Sequence, residues 1–280
     1  MPELPEVETM VRGIRDHVLK RPIKSMIACP NDCKSISLTP SLAVIRRKVV
    51  GRTFLAARRL GKRIVFEISD GSHLVIEPRM TGLMLLSDPP DVEHLRLRWD
   101  FDGPGQYRSL WFWDRRGLGT VTWFPSGSLE AKYNSRSIGP DALEMTPADW
   151  QQRCQATGRE IKVVLLDQKV VAGIGNLYAS EILHQAAINP TAAANRLSRA
   201  ALEKLAAAVK SVLQRAVECE GSTLGDGTYR NALNKNGNYQ NHHRAYMREG
   251  ETCLTCRKNP ILRIVQAQRS TFFCPHCQTK

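Results

Sequence analysis

Pro2-Glu3-Leu4-Pro5-Glu6-Val7-Glu8 follows Met1 at the head of the chain and carries two signals at once. From Pro5 onward, Val7, Val11, Ile14 and Val18 recur at helical spacing with Met10 on the same side. Glu6 and Glu8 fall in the first turn, where the helix dipole favours negative charge. A helix starting there sets Pro2 and Glu3 at its N-terminus. Removal of Met1 then exposes Pro2 as a free secondary amine, a nucleophile that forms an iminium with an aldehyde-like carbon. An α-amino group has a reference pKa of about 7.7–8.0, so roughly a tenth is neutral near pH 7, and the helix dipole lowers the value further. A lysine, at about 10.4, needs strong desolvation to match that. Glu3 is placed to supply or take the proton that accompanies bond breaking. Read alone, Pro2 is first a small residue that lets Met1 be removed, so the remainder of the chain has to decide.

Downstream of this helix the period changes from 3.6 to 2. Ile64, Phe66 and Ile68 alternate, Asp70-Gly71 marks a turn, and Leu74-Val75-Ile76 returns. Leu95, Leu97, Trp99 and Phe101 alternate again, then Leu110 and Phe112, then Val121 and Trp123. Closely spaced strands with short turns indicate a β-sandwich or barrel. Residues 131–150 read as a linker, with Gly139-Pro140-Asp141 and Thr146-Pro147 in it, after which the chain turns helical. Leu202, Leu205, Val209, Val212, Leu213 and Val217 form an apolar stripe that Gly221 is placed to stop. Residues 225–245 are polar and asparagine-rich with no apolar period, which reads as a mobile loop. The expected class is therefore α+β. An N-terminal helix and β-sandwich domain occupies 1–130, a helical domain 151–245 and a small C-terminal module 246–280.

The 280 residues suffice for two domains with real cores, and 40 Lys plus Arg against 27 Asp plus Glu give a formal charge of +13. That excess favours a polyanionic partner. No apolar run approaches the roughly 18 residues a membrane span needs, and the acidic N-terminus lacks a signal-peptide layout. A soluble, cytoplasmic protein of the bacterial cytosol and nucleoid is expected, with nucleic acid as the polyanion and no membrane partner.

Cys253-x-x-Cys256 and Cys274-x-x-Cys277, with 17 residues between the pairs, fit a four-thiolate tetrahedral zinc site of the ribbon type. All four positions are filled, which leaves no place for a reactive water and makes the single zinc ion structural. His276, inside the second pair, reads as an exposed side chain. Cys29, Cys33, Cys154 and Cys219 are scattered and read as free thiols of a reducing compartment. Residues 221–280 hold nine Lys or Arg against three acids, so a zinc-stiffened basic hairpin is suited to track a phosphate backbone.

Residues 173–181 read Gly-Ile-Gly-Asn-Leu-Tyr-Ala-Ser-Glu. Two glycines ahead of Asn176 permit a tight turn into a helix, read alone either as a plain helix–turn–helix connection or as an N-terminal anion site for a DNA phosphate. Together with Pro2-Glu3 and the four cysteines, the set resembles the formamidopyrimidine-DNA glycosylase and endonuclease VIII family. The resemblance runs from Pro2 to Gln278. Residues 2–8 look like the family's opening. Ile161-Lys162 through Leu165-Leu166-Asp167-Gln168 and the 173–181 turn resemble its helix–two-turn–helix motif. Tyr246-x-Arg248 and Gln268-Arg269-Ser270-Thr271 with the cysteines resemble its zinc finger.

The resemblance implies a bifunctional enzyme acting on double-stranded DNA that contains oxidised bases or abasic sites. Pro2 attacks C1′ of the damaged nucleotide, a Schiff base forms, and β,δ-elimination removes the 3′ and then the 5′ phosphate. Glu3 is implied as the acid–base group. Lys62, in Leu60-Gly61-Lys62-Arg63, is implied to contact phosphate and sugar, where a cation also balances charge developing on a leaving oxygen. Chemistry at C1′ needs the nucleotide out of the stack. Met80 is implied as the wedge that fills the gap and Arg116 as the partner of the orphaned cytosine. Lys162, Asn176 and Arg269 are implied to grip phosphates around the lesion. From residue type alone, Met80 reads as core packing and Arg116 as a solvated charge.

Two departures stand out. Leu118 replaces the phenylalanine usual beside the arginine and stacks poorly. Glu77-Pro78 precede Arg79 where a histidine and an apolar residue are more common, and a carboxylate there is expected to repel phosphate. Residues 225–245 occupy the region that caps the flipped base. Oxidised purines (8-oxoguanine and formamidopyrimidines opposite cytosine) are the expected substrates, and a monomer is expected. The alternatives are an endonuclease VIII-type enzyme for oxidised pyrimidines and a non-catalytic zinc-ribbon damage-binding protein, which has no need of Pro2-Glu3.

Overall fold

The computed structural model describes residues 2–29 and 34–279 and divides the chain into two compact units. The first comprises the chain up to Asn134 together with Cys219–Gln240; the second comprises Ser135–Glu218 and the chain from Asn241 onward.

The first unit opens with helix α1 (Leu4–Val18). Its buried face is the stripe read from sequence: Val7, Met10, Val11, Ile14 and Val18. Then come β1 (Ile23–Ala28), β2 (Ser37–Thr39), α2 (Leu42–Val49), β3 (Phe54–Leu60), β4 (Arg63–Ile68), β5 (His73–Glu77) and β6 (Gly82–Leu85). After these lie β7 (Leu95–Phe101), β8 (Ser109–Asp114), β9 (Thr120–Phe124) and the short helix α3 (Ser128–Lys132). The strands form a five-stranded sheet ordered β2-β9-β5-β4-β3 and a four-stranded sheet ordered β1-β7-β8-β6. Among the described residues, only the β2–β9 pairing is parallel in either sheet. One core joins them, with Phe54 and Phe66 from one sheet, Leu83, Trp99 and Phe112 from the other, and Met10 and Ile14 of α1. Each such burial stabilises by roughly 1.5–3 kcal/mol.

Residues 219–240, which include most of the 225–245 stretch expected as a loop of the helical domain, form a strap that groups with the first unit. Tyr229 and Ala232 enter the core of the first unit, and the Ala232 carbonyl accepts the Leu86 amide at 2.8 Å. The strap has no apolar period because its own side chains hold it. Thr223 Oγ1 donates to the Tyr229 carbonyl (2.8 Å) and accepts the Gly237 amide (2.9 Å). Asn231 accepts the amides of Leu233 and Lys235 and donates to Glu220.

The second unit holds α4 (Pro147–Gln155), α5 (Ile161–Leu166), α6 (Asn176–Gln185) and α7 (Arg199–Glu218), then the hairpin β10 (Leu262–Gln266) and β11 (Arg269–Phe273). Thr146 and Asp149 close a capping box at the start of α4. The apolar stripe of α7 is buried along its length. The helix–two-turn–helix is α5 and α6 with residues 167–175 between, and Gln168 fastens it. Its amide donates to the Leu166 and Ile174 carbonyls while its oxygen accepts the Gly173 amide.

Candidate active site and metal centre

Pro2 is buried immediately before α1 and lines a small pocket with Met80, Thr81, Leu83, Ser222, Leu224, Asp226, Thr228 and Tyr229. Every one of these residues belongs to the first unit. Glu3 is 3% exposed and Glu6 2%. The Glu6 carboxylate reaches in two directions, accepting the Glu3 amide with Oε2 at 2.9 Å and the Ser222 amide with Oε1 at 2.9 Å. It thereby caps α1 and pins the strap over Pro2. Burial, then the nearby Glu6 charge, push the Tyr229 phenol well above its ordinary range, so it stays protonated. Met1 lies outside the described residues.

Met80 sits in the loop between β5 and β6, and Arg116 and Leu118 in the loop between β8 and β9. Met80 and Leu118 are each 36% exposed, so Met80 is not the core residue its type alone implied. A single buried carboxylate holds both loops. Asp114 Oδ1 takes the Thr81 hydroxyl and lies 3.3 Å from the Arg116 amide, which also donates to Thr81 Oγ1 at 3.0 Å. Asp114 Oδ2 accepts the Gly119 amide at 2.7 Å. The loops close on the Phe112 ring only because both contact positions are glycine. A Cβ on Gly82 lies 2.8 Å from that ring, and one on Gly119 lies 2.5 Å from it.

Lys62 occupies the two-residue turn between β3 and β4, with Gly61 at φ 58°. The strand before it is tied to α1: Arg59 pairs with Glu8 at 3.0 Å, and Arg12 joins the same carboxylate at 2.8 Å. Burial pushes the Glu8 carboxyl up, but the hydrogen bonds and charges of Arg12 and Arg59 outweigh it and hold the group below its ordinary range. Pro2 and the Lys62 turn are thus linked through α1. Glu77 corrects the expectation of a repelling charge: it pairs with Arg63 at 3.1 Å and with Arg79 at 3.2 Å, and two cations on one carboxylate reverse the local sign.

Lys162, Asn176 and Arg269 lie in the second unit. Lys162 is the lysine expected to grip phosphate. It is fully buried, and its ammonium donates to Asn176 Oδ1 (3.1 Å), Thr271 Oγ1 (3.0 Å) and Ser180 Oγ (3.4 Å). Three protons have three protein acceptors in this arrangement. Asn176, the first residue of α6, spends its side-chain amide on the Ser270 carbonyl at 2.9 Å. Arg269 is exposed at the end of the hairpin, one residue from that contact.

The sulfurs of Cys253, Cys256, Cys274 and Cys277 all lie within 4.8 Å of one another. Cys253–Cys277 is 3.9 Å and Cys256–Cys274 is 3.7 Å. A tetrahedral zinc with bonds of about 2.3 Å needs sulfur–sulfur edges of about 3.8 Å, so the donor set fits zinc and not a disulfide. The amides of Asn259 and Lys258 pull the Cys256 thiol down to about 6, toward the thiolate a metal binds. His276 is exposed and outside the cluster, as expected. Cys154 and Cys219 are free thiols, with burial pushing the Cys154 thiol up to about 11; Cys33 lies outside the described residues.

Sequence reading missed Asp114, Thr81 and the two-way reach of Glu6. Asp114 shows no signal beyond closing an apolar strand, because its partners are amides fixed only by tertiary closure. In sequence Glu6 reads only as a first-turn acid, and its second role shows once Ser222 is seen against it.

Three family models match in chain order. The formamidopyrimidine-DNA glycosylase N-terminal domain matches residues 1–121, the formamidopyrimidine-DNA glycosylase H2TH domain 138–227, and the zinc finger found in FPG and IleRS 250–280. A formamidopyrimidine-DNA glycosylase of Solibacter usitatus is 36% identical over 284 residues, covering 100% of both chains. One of Chloroflexus aggregans is 37% identical over 280 residues, covering 99% of this chain and 98% of that one. Among solved structures, Lactococcus lactis Fpg bound to DNA containing an abasic site aligns with a TM-score of 0.87 at 29% identity, over 99% of this chain and 100% of that one. The same protein bound to DNA containing N7-benzyl-Fapy-dG gives 0.87 at 30% identity over 100% of both. No helix among the described residues is long and apolar enough to cross a membrane. With matches of this extent at both the sequence and the fold level, the chain belongs to the formamidopyrimidine-DNA glycosylase family.

Proposed function

We propose that this chain is a DNA glycosylase of base-excision repair that removes oxidised purines opposite cytosine and then cleaves the resulting abasic site, acting as a monomer in the bacterial cytosol. The observation that carries the reading is Pro2, placed at the head of α1 and lining a pocket with Met80 and the strap residues Ser222 and Tyr229. After Met1 is removed, the Pro2 nitrogen attacks C1′ and the glycosidic electron pair leaves with the base, which takes up a proton. Glu3 protonates the ring oxygen as the sugar opens, giving an iminium between Pro2 and C1′. Loss of a C2′ proton expels the 3′ phosphate, a second elimination expels the 5′ phosphate, and water releases Pro2. Lys62, on the turn tied to α1 through Arg59 and Glu8, offsets charge on the departing phosphate.

Met80 and Leu118 fill the space the everted nucleotide vacates, and Arg116 pairs with the facing cytosine. Their support is exposure on two loops fastened to one carboxylate. Arg269 and the amides at the start of α6 hold the backbone, with zinc keeping the hairpin rigid. Borohydride trapping on 8-oxoguanine–cytosine duplex tests the reading: the full chain gives a covalent adduct, and Pro2→Gly greatly reduces it. Equal cutting by protein with an acylated N-terminus overturns the chemistry. Preference for thymine-glycol–adenine duplex moves the substrate to oxidised pyrimidines.

A further inference from the structure

His184 lies on α6, outside the zinc ribbon, and its Nε2 is 3.4 Å from the sulfur of Cys253. Both residues are buried, at 5% and 0% exposure. Two of the other sulfurs draw amide donors from the ribbon itself. Cys274 Sγ takes the Cys277 amide at 3.4 Å, and Cys256 is served by the amides of Asn259 and Lys258. Cys253 instead has a side-chain partner from a helix about seventy residues earlier.

A thiolate held by zinc only accepts hydrogen bonds, so the ring proton in this contact sits on Nε2 of His184. An N–H donor disperses charge on the sulfur and fixes its direction, and partners of this kind typically alter metal affinity 10–100-fold. Glu181, three residues earlier on the same side of α6, accepts the amides of Arg244, Ala245 and Tyr246 at 2.8, 3.0 and 2.7 Å. One helix face thus seats the segment leading into the ribbon and reaches its first metal-binding sulfur.

We propose that His184 is an outer-sphere partner of the zinc, a positioning residue whose Nε2–H bond to Cys253 locks the metal site to α6 and raises zinc affinity. The proposal rests on the zinc ribbon and stands or falls independently of the glycosylase reading. It is tested on the full chain by chelator competition for zinc and by the sulfur-to-metal charge-transfer band of the cobalt(II)-substituted protein. His184→Phe keeps an aromatic ring without a donor; His184→Gln keeps a donor near the Nε2 position; His184→Asn keeps one too short to reach. Zinc affinity is expected to fall 10–100-fold in His184→Phe and His184→Asn and by less than about threefold in His184→Gln. The cobalt band is expected to move to lower energy only in the first two. If His184→Phe does not fold, the Gln–Asn comparison carries the same distinction. Equal affinity in all variants, or equal loss in Gln and Asn with an unmoved band, overturns the proposal and leaves His184 as packing.

Discussion

Buried charge at single residues decides how this molecule meets a phosphate backbone. Lys162 donates its hydrogen bonds to Asn176, Ser180 and Thr271, whereas Arg269 is exposed on its hairpin. In a DNA titration across salt, Arg269→Ala is expected to lower the salt slope by about one. Lys162→Met is expected to leave that slope unchanged and weaken binding by about tenfold at every salt concentration, because Asn176 loses one of its two anchors. A slope lowered by one in Lys162→Met returns the lysine to direct contact. Asp114 is the second such residue. In Asp114→Asn an amide NH2 faces the Gly119 N–H or displaces the bonds to Thr81 and Arg116. A loss of about 2–3 kcal/mol in urea unfolding is expected, with slower excision on lesion duplex. Excision at the wild-type rate separates the two loops from this carboxylate.

Periodic elements were legible in the sequence, and elements fixed by non-local partners were not. The 3.6-residue period from Pro5 to Val18 became α1, and the alternation at Ile64-Phe66-Ile68 became β4 with all three residues buried. The residues of β1, β2 and α2 carry too short or too mixed a pattern, and the strap is stitched by side chains no period reports. Zinc ligation was readable because both pairs sit on local turns whose spacing is itself the geometry. The β10–β11 turn holds a further element-scale feature. Ala267 and Gln268 both have positive φ, 45° and 60°, where an L-residue costs roughly 1–2 kcal/mol. Replacing the pair with Asn-Gly is expected to stabilise the second unit by about 1–2 kcal/mol, read from its urea midpoint. An unchanged midpoint means that contacts of Gln268 offset the backbone strain.

At the scale of the whole molecule, stability is divided between two cores of different character. The first unit rests on an apolar sandwich, and the C-terminal hairpin of the second on four sulfurs and a small cluster around Ile261 and Phe272. Zinc removal by chelator is therefore expected to lower one thermal transition by several degrees and leave the other in place. Trp99, Trp111, Trp113 and Trp123 belong to the first unit and Trp150 to the second, so the fluorescence of four of the five tryptophans should follow the transition that does not move. A single transition that shifts as a whole indicates that the units unfold together.

The strap also bears on how the protein is made. Tyr229 and Ala232 complete a core whose other members all precede Asn134, so the ribosome must add roughly a hundred more residues before the first unit can close. At about 5–20 residues per second that is an interval of several seconds to some twenty seconds. During it the nascent chain holds an unfinished apolar interior and a Glu6 whose Ser222 partner has yet to be synthesised, a window in which a chaperone has something to cover.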